Sequence, residues 1–160
     1  MQERISLLWF WIIKYGKRWQ QAISLILWLN KDDSPQVSIV WVGLEGDEIV
    51  CAHLNLYKKL KNIQRDARVA LSMVTGGKTN ELDNYLVING RARITEGGAP
   101  ELVNRLAQIY ISPGRKYVPD EAPGGYITHI TVEHIHGIGP WDEWFRPVWL
   151  ARPNRSRKIF

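Results

Sequence analysis

Between residues 22 and 138 the chain alternates short runs rich in β-branched and aromatic residues with clusters of turn-forming residues. That rhythm constrains the fold more than any single motif does. Strands joined by tight turns pair antiparallel, whereas parallel pairing needs a crossover connection, usually a helix, after each strand. Residues 22–29 are an apolar run of strand length, and Asn30-Lys31-Asp32-Asp33-Ser34-Pro35 supplies the turn that ends it. The next run, Gln36-Val37-Ser38-Ile39-Val40-Trp41-Val42, is followed by the turn Glu45-Gly46-Asp47 and a strand over residues 48–53. Further strands are expected over residues 68–74, 85–95 and 126–138. Residues 75–83, with Gly76-Gly77, read as a polar loop, and Gly90 marks a bulge or bend.

Two segments break the rhythm with a helical period. In residues 56–66, Leu56, Leu60 and Ile63 share one face and Lys58, Lys59, Lys61 and Arg65 occupy the rest. In residues 100–111, Leu102, Val103, Leu106, Ile109 and Tyr110 recur at helical spacing. Six strands with two short helices between them predict a mainly β fold, an antiparallel barrel that is closed or nearly so. A length of 160 residues suits one domain across residues 1–160, with an apolar helix over 1–21 and a basic tail over 142–160.

Eight tryptophans are many for this length, and Trp9, Trp11, Trp19, Trp28 and Trp41 crowd the N-terminal part. The segment from Ile5 to Leu29 begins with an apolar run over residues 5–13 but is interrupted by Lys14, Lys17, Arg18, Gln20 and Gln21, so it cannot cross a bilayer in one piece. Its basic cluster follows the apolar run, the reverse of a secretory signal. A helix packed on the barrel or used in dimerisation is expected, and contact with a membrane surface is the alternative.

Twenty-one basic residues against sixteen acidic ones give a net charge of +5, which favours phosphates, nucleic acid or polyglutamate as partners, or simply keeps the surface soluble. Cys51 is the only cysteine, so no intrachain disulfide is possible, and the cytoplasm is the expected compartment. Its setting, Ile49-Val50-Cys51-Ala52, is that of a buried structural thiol. His129, His134 and His136 lie close in sequence, but a regular strand places His134 and His136 on one face and His129 on the other. With Glu133 as the only nearby carboxylate, they read as ordinary strand histidines rather than metal ligands. No Gly-x-Ser-x-Gly elbow, Walker loop or Gly-x-Gly-x-x-Gly turn occurs, which removes the common hydrolase and nucleotide folds.

The basic segment beside Tyr57 (Lys58, Lys59, Lys61, Arg65 and Arg68) has three readings: a phosphate site, a surface for single-stranded nucleic acid, or a solvated helix face. Its position at a strand exit and in the first turns of a helix favours an anion, because free backbone N–H groups and the helix dipole point there.

The chain resembles the flavin and deazaflavin oxidoreductases of the pyridoxamine 5′-phosphate oxidase-like superfamily. The matching stretches are Ser34-Pro35-Gln36-Val37-Ser38-Ile39-Val40-Trp41, Gly46-Asp47-Glu48-Ile49, Lys58-Lys59-Leu60-Lys61-Asn62-Ile63-Gln64-Arg65-Asp66-Ala67-Arg68-Val69-Ala70-Leu71, Tyr85-Leu86-Val87-Ile88-Asn89-Gly90-Arg91-Ala92 and Gly137-Ile138-Gly139-Pro140-Trp141. The resemblance implies a six-stranded antiparallel split β-barrel of FMN-binding type, assembled as a homodimer with coenzyme F420 or FMN at the interface. It implies that Ser38, Val40 and Trp41 line the cofactor ring and that Ala52, His53 and Leu54 lie beneath it. Lys58 and Lys59 then bind the phosphate, Lys61 and Asn62 support that loop, and Trp141 closes the site. The implied activity is hydride transfer between the cofactor and a small conjugated or heteroaromatic substrate. A cofactor-binding protein without efficient turnover and a single-stranded nucleic-acid-binding barrel are the alternatives; nucleic acid is not the expected partner. Two departures stand out: Asp32-Asp33 replaces the family's Asp-Gly in the first hairpin, and the N-terminal thirty residues are unusually apolar.

Overall fold

The structure, a computed structural model, describes residues 23–119 and 121–139. The expected N-terminal helix over 1–21, the tail over 142–160 and Trp141 lie outside the described residues. In chain order the elements are β1 (Ile23–Leu29), β2 (Pro35–Val40), β3 (Gly43–Glu45), β4 (Glu48–His53), α1 (Lys58–Arg65), β5 (Arg68–Thr79), β6 (Leu82–Glu96), α2 (Ala99–Tyr110) and β7 (Tyr126–Ile138). The strands form one antiparallel sheet in the order β2-β1-β5-β6-β7-β4-β3.

β2 and β3 sit at opposite edges of that order, yet only Trp41 and Val42 separate them in the chain. Three Cα steps reach at most about 11 Å, so the sheet must curl until its two edges meet. The result is a barrel, and this corner also explains why seven strands are found where six were expected. The run over residues 36–42 is strand-like throughout, but the chain leaves one edge at Val40 and joins the other at Gly43.

Period-two burial follows from closure. Ser24, Ile26 and Trp28 point inward and are buried, while Leu25 and Leu27 point outward and are exposed. The interior is filled by Ile26, Trp28, Ile49, Cys51, Leu71, Met73, Ile88 and Ile130, with Ile63 of α1 plugging one end. The second helix covers the outside, where Leu102 and Leu106 pack on Val50. Cys51 is buried as expected, and burial pushes its thiol pKa up to about 12.

Four local expectations meet their geometry here. Gly90 sits at a register shift between Asn89 and Gly90, and a Cβ there would lie 2.3 Å from the Thr131 carbonyl oxygen. The extra residue at this bulge shifts the alternation of β7, so His134 and His136 face outward on the same side as His129, not opposite to it. The polar loop expected over 75–83 is instead the distal part of a long hairpin. Gly76 and Gly77, at φ 73° and 81°, form an irregularity between Val74 and Lys78, and the true tip is Asn80-Glu81, both at positive φ. In the first hairpin, Asp33 does occupy a left-handed conformation, at φ 61°. The turn is held by the Asp32 carboxylate, which accepts from Ser34 Oγ at 2.6 Å and from Ser34 N at 3.2 Å.

Candidate functional site

The basic segment sorts itself by what each cation touches. Arg65 donates to Leu29 O at 2.8 Å and to Asn62 Oδ1 at 3.0 Å, and Arg68 pairs with Asp66 at 2.6 Å. These two arginines are structural. The lysines are different: Lys58, Lys59 and Lys61 make no ion pair among the described residues. Lys58 and Lys59 are the first two residues of α1, where backbone N–H groups lack intrahelical acceptors. Lys58 lines an open cavity of about 460 Å³ with Asn30, Lys31 and Asp32.

Lys59 is half-buried, its ammonium 5.8 Å from the Tyr57 ring centroid. Burial holds its pKa below the ordinary lysine value. Nearby His53 is buried and hydrogen-bonded to Thr128 Oγ1 at 3.0 Å, and desolvation followed by the Lys59 charge lowers its pKa to about 3. At neutral pH the His53 imidazole is therefore neutral, and the half-buried Lys59 amine stands beside it. A partly desolvated ammonium with no carboxylate partner is a place for an anion.

Asn62, with 5 % exposure, joins the helix to the first hairpin by donating to Asn30 Oδ1 at 2.9 Å. Lys61 is exposed on the outer side of the same helix.

The other residues singled out in the sequence divide between two faces. Ser38 and Val40 point inward with Ile26, and Val40 packs in the barrel core. Trp41 points outward, stacked on Tyr110 with centroids 5.5 Å apart and planes 7° from parallel. Tyr117 meets Trp41 edge-on, and Tyr110 Oη bonds the backbone of Val42. Ala52 packs on the same outer cluster under α2. Inward-facing Ser38 and His53 are thus not on the face of Trp41 and Ala52, and Leu54 lines a separate groove. Ser38 Oγ and Trp28 Nε1 are buried without hydrogen-bond partners on neighbouring inward positions. Trp28 belongs to the packed interior, whereas the unbonded Ser38 hydroxyl fits a ligand's polar atom as Lys59, which has no ion pair among the described residues, fits a phosphate.

Sequence reasoning missed the groove. Residues 54–56 form one wall of a cavity of about 520 Å³ whose other wall is residues 123–126, with Glu96 and Gly97 between. The signal was divided between two loops far apart in the chain. Sequence reasoning also missed a polar cluster on the outer face, where Glu48 accepts from Arg93 at 2.5 Å and from Thr131 at 3.3 Å. His129 Nε2 meets Thr95 Oγ1 at 3.0 Å, and its Nδ1 lies 3.4 Å from Glu48 without a hydrogen bond. This cluster ties β4, β6 and β7 together. Among the described residues no group of three or more His, Cys, Asp or Glu is placed to hold a metal ion, and no helix is long and apolar enough to cross a membrane.

Comparison with solved structures finds the same fold. An F420 reductase superposes with a TM-score of 0.62 at 18% identity, covering 76% of this chain and 94% of that one. A putative pyridoxamine 5′-phosphate oxidase from Listeria innocua gives 0.57 at 16% identity, covering 79% and 94%. A heme binding protein from Mycobacterium smegmatis gives 0.56 at 15% identity, covering 78% of this chain and 52% of that one. No protein-family model and no curated protein matches the sequence. The chain has the split-barrel fold of the pyridoxamine 5′-phosphate oxidase-like proteins. An FAD-binding protein from Mesorhizobium loti is also similar, with a TM-score of 0.54 at 15% identity, covering 78% of this chain and 91% of that one.

Proposed function

We propose that the chain is an oxidoreductase that binds a phosphorylated flavin-type cofactor, coenzyme F420 or FMN, and acts on a small conjugated or heteroaromatic substrate. The observation that carries this reading is Lys59, a half-buried ammonium in the first turn of α1 with no carboxylate partner among the described residues. Such a cofactor supplies hydride transfer between its ring and the substrate. The protein's residues bind and orient. Lys59 and Lys58 hold the phosphate, while Asn62 and Arg65 fix the helix that presents them against the β1–β2 turn. Ser38 offers an unbonded hydroxyl to the ring, and Trp41, through Tyr110, braces the β2–β3 corner behind it. Trp141 is assigned to closing the site from the C-terminal side.

A homodimer is part of the proposal. Leu25 and Leu27 of β1 lie beside Ile39 and Val37 of β2 on the outer face, and all four are exposed. An apolar face of this kind is a candidate interface, and a second copy of the chain is its proposed occupant. The proposed setting is the cytoplasm.

Titration of the purified protein with F420 and with FMN tests the reading, and micromolar or tighter affinity for one of them is expected. Binding of neither overturns it. Oxidation of the reduced cofactor by a panel of conjugated acceptors then distinguishes an enzyme from a carrier.

A further inference from the structure

The groove between residues 54–56 and 123–126 has no role in the phosphate site, although the lysines follow immediately after its first wall. At about 520 Å³ it is within the range of small-molecule sites. Leu54, Leu56, Pro123 and Tyr126 contribute apolar surface to a lining that is otherwise polar, and Gly124 and Gly125 line it as well.

This glycine segment is built to stay in place. Gly97 N donates to Gly125 O at 2.8 Å and Ala99 N donates to Gly124 O at 2.9 Å. Gly125 is at φ 61°, and a Cβ there would lie 2.5 Å from His53 O and 2.8 Å from Ala99 Cβ. Only glycine lets this segment lie so close to the end of β4.

Among the described residues Glu96 is the one charged side chain lining the groove, and it has no ion-pair or hydrogen-bond partner there. In a chain of net charge +5, with unpaired lysines a few residues away, one isolated carboxylate in an otherwise neutral groove selects for a cation. We infer that this groove receives the second reactant, a small planar molecule carrying a protonated amine or amidinium group, with Glu96 as its counter-ion. The inference rests on the oxidoreductase reading for calling the occupant a reactant; the recognition itself needs no cofactor. The two neighbouring sites then take opposite charges, an anion at Lys58 and Lys59 and a cation at Glu96.

Two planar probes of nearly equal shape test this: benzamidine, which is charged, and benzamide, which is not. Each is titrated into the full chain while the amide NMR signals of Gly97, Gly124 and Gly125 are followed. Benzamidine is expected to move those signals and to bind about fivefold tighter than benzamide, as suits a charge pair at a solvent-exposed carboxylate. Glu96→Gln brings the ratio close to one, and Glu96→Lys abolishes benzamidine binding. Equal affinity for the two probes in the unsubstituted chain, or an unchanged ratio in Glu96→Gln, overturns the assignment. A parallel titration with FMN and F420 separates the two readings. If neither cofactor binds but the benzamidine preference is present, recognition by Glu96 stands and the oxidoreductase reading falls. If a cofactor binds and benzamidine shows no preference, the groove's assignment falls alone.

Discussion

Asn62 Nδ2 donates to Asn30 Oδ1 at 2.9 Å, and this bond joins the helix carrying the lysines to the turn that lines a cavity together with Lys58. Asn62 also accepts from Arg65, so its amide is the centre of a three-residue clamp. Asn62→Ala leaves Asn30 and Arg65 without a buried partner and is expected to destabilise the fold by about 1–3 kcal/mol. Urea unfolding measures this, and Asn62→Asp is expected to recover part of the loss through its remaining bond to Arg65.

Gly90 is required by contact rather than by backbone angle. A methyl group there would lie 2.3 Å from the Thr131 carbonyl and 3.2 Å from Ile130 Cγ2. Gly90→Ala is expected to lower stability by about 1–3 kcal/mol, since the β6–β7 pair must spread to admit it. Gly46→Ala is the comparison at an open turn, where a left-handed φ of 57° is the only obstacle and nothing lies within 4 Å.

The buried imidazole of His53 makes stability depend on pH. Its pKa falls from 6.5 in the unfolded chain to about 3 in the fold, mainly by desolvation. A base with a depressed folded pKa contributes stability that is complete above the unfolded value and is lost as pH falls from 6.5 towards 3. The expected slope in that window is about 1 kcal/mol per pH unit. Urea midpoints across the window measure it, and His53→Gln, which can still bond Thr128, is expected to flatten the profile. Glu48, whose carboxylate is held low mainly by its hydrogen bond from Arg93, begins to lose its contribution as pH falls through the ordinary carboxylate value of 4.5, so the upper part of the window is the part that reports His53.

Ile39 is 68% exposed, the most exposed of the four residues of the outer apolar face. Sedimentation of the unsubstituted chain is expected to show a dimer at micromolar concentration, and Ile39→Glu a folded monomer. A dimer that survives Ile39→Glu and Leu27→Lys together places the interface elsewhere.

The strand rhythm made most of the fold legible, because period-two burial and turn chemistry are local properties. β3 was not legible, since nothing local in Ile39-Val40-Trp41-Val42-Gly43 reports that the chain changes sheet edge there; closure of the whole sheet demands it. The same limit applies to Gly76-Gly77, where positive φ serves an irregularity within a hairpin as readily as a loop. At the site, the lysines stood out as a cluster, but only the three-dimensional partners separate Arg65 and Arg68, which are engaged, from Lys58 and Lys59, which are not. Trp41 and Ala52 sit next in sequence to inward-facing residues and therefore point away from them. Glu96 carried no signal, because its groove is assembled from loops that meet only in the fold.

The central claim is that Lys59 holds the phosphate of a flavin-type cofactor. The most direct measurement compares FMN with riboflavin, which lacks the phosphate, in the unsubstituted chain and in Lys59→Ala, by equilibrium fluorescence titration. The account predicts that FMN binds at least about tenfold tighter than riboflavin and that Lys59→Ala removes most of that difference, a loss of about 1.5–3 kcal/mol. Equal affinity for FMN and riboflavin, or an FMN preference untouched by Lys59→Ala, contradicts it.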